Sequence, residues 1–110
     1  MSWKDNAIEI LKESLYPISS ELNELDWKSG LSCKTERLAQ HISAFANNKG
    51  GGMLVYGIND DGTPFSPSQK EIDEIIRKLG NIAKNNLSYA ISIDHAILDF
   101  EGESLLFVYI

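Results

Sequence analysis

The chain has 110 residues, 10 Lys and Arg against 16 Asp and Glu for a formal net charge of −6, and 43% apolar residues. That fits one folded domain burying roughly two-thirds of its unfolded surface, and it excludes a disordered chain. No apolar run approaches the roughly 20 residues of a membrane span, the polar start Met1-Ser2-Trp3-Lys4-Asp5-Asn6 is no signal peptide, and a lone cysteine, Cys33, excludes an internal disulfide or a multi-cysteine zinc site.

Taken in chain order, Ile8, Leu11 and Leu15 recur at helical spacing over about Asp5 to Leu15, with Asp5 as N-cap and Tyr16-Pro17 as the stop. From Leu22 to Lys28 the period becomes two. Leu25 and Trp27 point one way and Glu24, Asp26 and Lys28 the other, predicting a short half-buried strand with a charged face. Leu38, Ile42, Phe45 and Ala46 define an amphipathic helix over about Cys33 to Asn48, which the run Lys49-Gly50-Gly51-Gly52 ends. Met53 to Ile58 is a continuous apolar run, the pattern of a central strand covered on both faces, and Asn59-Asp60-Asp61-Gly62 is a turn.

Two overlapping capping boxes, Ser66 with Gln69 and Ser68 with Glu71, then start a helix, with Pro67 suited to its first position. Its stripe is Ile72, Ile75, Ile76, Leu79, Ile82 and Ala83, and Gly80 is a point of interruption. Ala90 to Phe100 and Ser104 to Ile110 read as a hairpin joined at Glu101-Gly102-Glu103. The predicted class is α+β (mixed α/β), a small sheet packed against two or three helices. There is no linker or repeat, so residues 1–110 read as a single domain. Its last strand runs into the C-terminus, as expected of a fragment of a longer chain.

The glycine run Gly50-Gly52 is no phosphate cradle. It follows a helix and precedes a strand, so it meets the carbonyl end of the dipole, and no Lys-Ser or Lys-Thr pair follows; no nucleotide is expected there. His41 and His95 lack catalytic or metal-ligand spacing and read as structural. Cys33, near Lys34 and Arg37, has no triad partner and reads as an inert thiol. The carboxylates carry more. Glu21, Glu24 and Asp26 cluster on or before one strand, and Asp60 and Asp61 close another. If the two strands are neighbours, these oxygens meet at one sheet end, as a hard cation such as Mg²⁺ or Mn²⁺ requires. The competing reading is a solvated acidic edge beside an Asp-Gly turn.

Three blocks carry a family resemblance: Glu21 to Lys28, Ile42-Ser43-Ala44-Phe45-Ala46-Asn47-Asn48-Lys49-Gly50-Gly51, and Leu54-Val55-Tyr56-Gly57-Ile58-Asn59-Asp60-Asp61-Gly62. Together they resemble the Schlafen-type AlbA-like domain, a family labelled DNA-binding, some of whose members were once called divergent AAA or RecG-related proteins. The resemblance covers Glu21 to Ile110, with residues 1–20 as an N-terminal helix and lead-in. It implies a small AlbA-like sheet and a nucleic-acid-associated module, usually N-terminal to a regulatory region. In RNA-cleaving members, two glutamates five residues apart and an aspartate in the Gly-x-x-Asp turn form a metal-dependent site. On this chain those positions are Glu21, Asp26 and Asp60, with the second carboxylate one methylene shorter. No Walker-type loop supports the old ATPase label.

The leading expectation is a cytoplasmic, nucleic-acid-binding (DNA-binding) regulatory module of a transcriptional regulator, with DNA or RNA as partner. An acidic chain must meet phosphate locally, here through Lys28, Lys34, Arg37 and Lys49. Binding is favoured over catalysis. A second expectation is a metal-dependent endoribonuclease using Glu21, Asp26 and Asp60 with Mg²⁺ or Mn²⁺; no other cofactor is implied. A third is a dimerisation domain pairing through an edge strand at residues 104–110.

Overall fold

A computed structural model of the chain describes residues 3–15, 25–30, 35–47, 51–85 and 91–110. Within them the elements follow the predicted order: α1 (Trp3–Leu15), β1 (Leu25–Lys28), α2 (Thr35–Asn47), β2 (Met53–Tyr56), α3 (Gln69–Asn85), β3 (Asp94–Phe100) and β4 (Glu103–Tyr109). The class is α+β, as the periodicities predict. The expected strand and helix extensions over 22–24, 33–34, 48 and 90 lie outside the described residues. No described helix is long and apolar enough to cross a membrane.

The four strands form one sheet in the order β1-β2-β4-β3. β1 and β2 run parallel, in register from Leu25 opposite Met53 to Lys28 opposite Tyr56, and α2 makes the crossover that parallel pairing requires. β4 pairs antiparallel with both β2 and β3. It is therefore a central strand, which overturns the expectation that residues 104–110 form a free edge; the edges are β1 and β3. The reason lies in burial. Leu105 to Val108 are all buried, so the strand is covered on both faces and hydrogen-bonded on both sides.

Strand alternation divides the core in two. On one face Leu54, Tyr56, Leu106 and Val108 pack under α2 (Leu38, Ile42, Phe45) and α3 (Ile72, Ile75, Leu79, Ile82). On the other, Met53, Val55, Leu105 and Phe107 pack with Leu25, Phe100 and the α1 residues Ala7, Leu11 and Leu15. The sheet is thus the middle of three layers, and each buried Leu, Ile or Phe contributes about 1.5–3 kcal/mol.

Local chemistry explains the element ends. Of the two capping frames, the structure uses the second. The Glu71 N–H donates to Ser68 Oγ at 3.2 Å, and that hydroxyl donates to Glu71 Oε1 at 3.1 Å. Pro67 therefore precedes the cap instead of occupying the first helical position. Ser66 ties the helix entry to β4, donating to Glu103 Oε1 and accepting from the Ser104 N–H, at 2.8 and 2.9 Å. Gly80 does not interrupt α3, which runs on to Asn85. Asp5 lies inside the first turn of α1, not at its cap, where a carboxylate still favours the positive dipole end. The hairpin closes on Glu101-Gly102, both at positive φ (51° and 84°), the primed turn that suits the strand twist.

The glycines after α2 are packing devices. Gly51 has φ +77°, and a Cβ there would strike the Ile110 carbonyl oxygen. At Gly52 a Cβ would enter the Phe45 ring. Gly52 also exchanges backbone hydrogen bonds with Ile110, at 2.8 and 3.3 Å, extending the β2–β4 ladder. Phe45 of the Ala-Phe-Ala-Asn-x-x-Gly-Gly block thus lays its ring on the glycine that follows the block, Gly52.

Candidate functional site

Parallel pairing brings the C-terminal ends of β1 and β2 together, as the carboxylate reading requires. The Lys28 carbonyl accepts hydrogen bonds from the N–H groups of Gly57 and Ile58, at 3.0 and 3.3 Å, so the turn after β2 is fastened to the end of β1. Within that turn Asp61 works structurally. Its Oδ1 accepts from the Thr63 hydroxyl at 2.6 Å and from the Thr63 N–H at 3.0 Å, which holds its carboxyl below the usual aspartate range. Asp60 beside it is exposed.

Asp26 is the buried polar side chain of the sheet, 4% exposed, on the face that α2 and α3 cover. Burying a carboxylate is costly unless a counter-charge follows it. Lys28, two residues on and therefore on the same face, brings its Nζ to 2.8 Å from Asp26 Oδ2. The expected charged face of β1 is thus an internal ion pair and not a solvated stripe. Beside it lies Tyr56, fully buried, its hydroxyl without a hydrogen-bond partner among the described residues. Burial, then the negative charge of Asp26, pushes its pKa far above the usual tyrosine range, so it stays a neutral phenol. Sequence reading misses Tyr56 because it passes for core; its place in the parallel register opposite Lys28 is the signal that finds it.

Asp26 and Lys28 are paired, Asp60 sits in the exposed turn beyond β2, and Arg37 is exposed on α2. Glu21, Lys34 and Lys49 lie outside the described residues, as does Cys33, and the His41 side chain is not described. Among the described residues no three His, Cys, Asp or Glu side chains group around a position for a metal ion. His95 is exposed on β3, away from both carboxylates on the far edge of the sheet.

A mixed four-stranded sheet between one helix and two, with an acidic residue buried within its parallel pair, is the class of fold. Residues 21–110 match the family model described as Schlafen, AlbA_2, and the chain belongs to that family. It is similar to the solution structure of the N-terminal domain of a RecG-related protein from Nitrosomonas europaea. Identity is 26% over 94% of this chain and 71% of that one, with a TM-score of 0.65. A crystal structure of a Corynebacterium diphtheriae protein is similar in fold alone, at 18% identity and a TM-score of 0.53, over 97% of this chain and 25% of that one. No curated protein matches the chain.

Proposed function

We propose that this chain is a nucleic-acid-binding regulatory module of a transcriptional-regulator-like protein, with DNA or RNA as its partner. The observation that carries the reading is family membership across residues 21–110. The similar Nitrosomonas europaea domain, from a RecG-related protein, supports the same class of partner. With Lys28 engaged by Asp26, the phosphate contacts fall to Lys34, Arg37 and Lys49, on or beside α2. A few cations on an acidic chain give weak binding governed by salt.

Fluorescence anisotropy with labelled duplex and single-stranded oligonucleotides at low salt tests this. Binding that weakens in Arg37→Glu is expected; no binding to either probe at low salt sinks the reading.

Asp26 favours a second reading, a metal-dependent endoribonuclease with Glu21, Asp26 and Asp60 as the carboxylates. A buried carboxyl paired with a lysine is an oxygen donor set inside the fold. A bound Mg²⁺ or Mn²⁺ would supply Lewis-acid activation of the phosphodiester. RNA cleavage with Mn²⁺ that Asp60→Ala abolishes, together with Mn²⁺-dependent thermal stabilisation that the same variant loses, is the expected pair of results. Equal cleavage by both proteins removes the assignment.

A further inference from the structure

A cleft of about 170 Å³ lies away from the carboxylates, between α1 and the backbone that enters β2. Its lining is Trp3, Asn6 and Ile10 from α1, Gly51, Gly52 and Met53 from the β2 entry, and Tyr109 from the end of β4. Trp3 and Tyr109 stack with ring centroids 5.4 Å apart and planes 9° apart, and the Trp3 indole N–H donates to Asp94 Oδ2 at 2.9 Å. Gly51 lies against this stack, since a Cβ there would come 3.1 Å from the Tyr109 hydroxyl. The cleft is well below the roughly 300–1,000 Å³ of drug-sized sites, so it holds one ring system and no more.

Its chemistry selects the ring. A stack of two aromatic rings that a third can extend, an apolar floor of Ile10 and Met53, and one exposed carboxamide, Asn6, match a planar heterocycle with donors and acceptors on its edge. Asn is the side chain that pairs in bidentate fashion with adenine. The objection to phosphate at the glycine run, its position after a helix C-terminus, does not extend to an uncharged ring. We propose that this cleft binds a single nucleobase, adenine before the others. The ring could come from a free nucleoside or from an unpaired base of a strand; only the second source rests on the nucleic-acid reading above.

The chain has two tryptophans, so Trp27→Phe leaves Trp3 as the sole tryptophan, which long-wavelength excitation selects over the four tyrosines. In that background adenosine is expected to quench Trp3 saturably, with a Kd of about 1 mM, the scale of one stacked base with one polar anchor. Asn6→Ala should weaken it about tenfold, and Ile10→Phe, which fills the cleft, should abolish it with the thermal transition kept. Quenching by a single-stranded oligonucleotide but not by its duplex assigns the base to a strand; quenching by adenosine but not by the oligonucleotide assigns it to a free nucleoside. No quenching by either, or quenching that both substitutions leave unchanged, overturns the proposal. The nucleic-acid reading fails separately, when anisotropy shows no oligonucleotide binding while adenosine still quenches.

Discussion

At the residue scale, the Asp26–Lys28 pair has unequal partners. Asp26 is buried, whereas the Lys28 side chain is 23% exposed and can return its ammonium to water. Lys28→Ala leaves an uncompensated buried carboxylate and should cost about 3 kcal/mol, while Asp26→Asn should cost about 1 kcal/mol, both measured by urea unfolding. Equal costs would contradict the burial argument. Asp94 makes a pH prediction. The Trp3 indole N–H, then the His95 backbone N–H, hold its carboxyl below the usual aspartate value of 3.8. A depressed folded-state pKa contributes stability above the unfolded value and loses it as pH falls through the folded one. Trp3 emission should therefore be constant from neutral pH down to about pH 4 and shift below it, and Asp94→Asn should remove that shift.

At the element scale, α3 offers two substitutions of opposite sign. Ser68→Ala removes both hydrogen bonds of the capping box and should destabilise by about 1 kcal/mol. Gly80 lies in the helix interior with open space where a Cβ would go, so Gly80→Ala should stabilise by about 0.5–1 kcal/mol, a rise of a few degrees in Tm. Both are read by thermal melts followed by circular dichroism. The stripe of this helix is legible in sequence because it is a local signal, whereas the choice between its two capping frames and its passage through Gly80 are not. β2 was legible for the same reason, its continuous apolar run marking a strand covered on both faces. The run Leu105-Leu106-Phe107-Val108 carries the same mark, and it outweighs the position at the chain's end that suggested an edge. What local patterns do not encode is which face of β1 is covered. Asp26 and Lys28 look solvated by period alone, and only the packing of α2 and α3 over that face makes them an internal pair.

At the scale of the whole molecule, a net charge of −6 and a nucleic-acid partner are reconciled by distribution. After Lys84 the chain has four acids and no Lys or Arg, whereas of the cations proposed for phosphate Arg37 lies on α2 and Lys34 and Lys49 flank it in sequence. The glycine run, which first suggests phosphate, instead lets Phe45 and Ile110 close on the backbone, and Gly52→Ala should cost about 1–3 kcal/mol by overpacking against the ring. The most direct test of nucleic-acid binding is the salt dependence of oligonucleotide affinity. Three contacts, from Lys34, Arg37 and Lys49, predict a slope of log K against log salt of about −2.7 on duplex, shallower by about 0.9 in Arg37→Ala. A slope near zero, or one that Arg37→Ala leaves unchanged, would contradict the account.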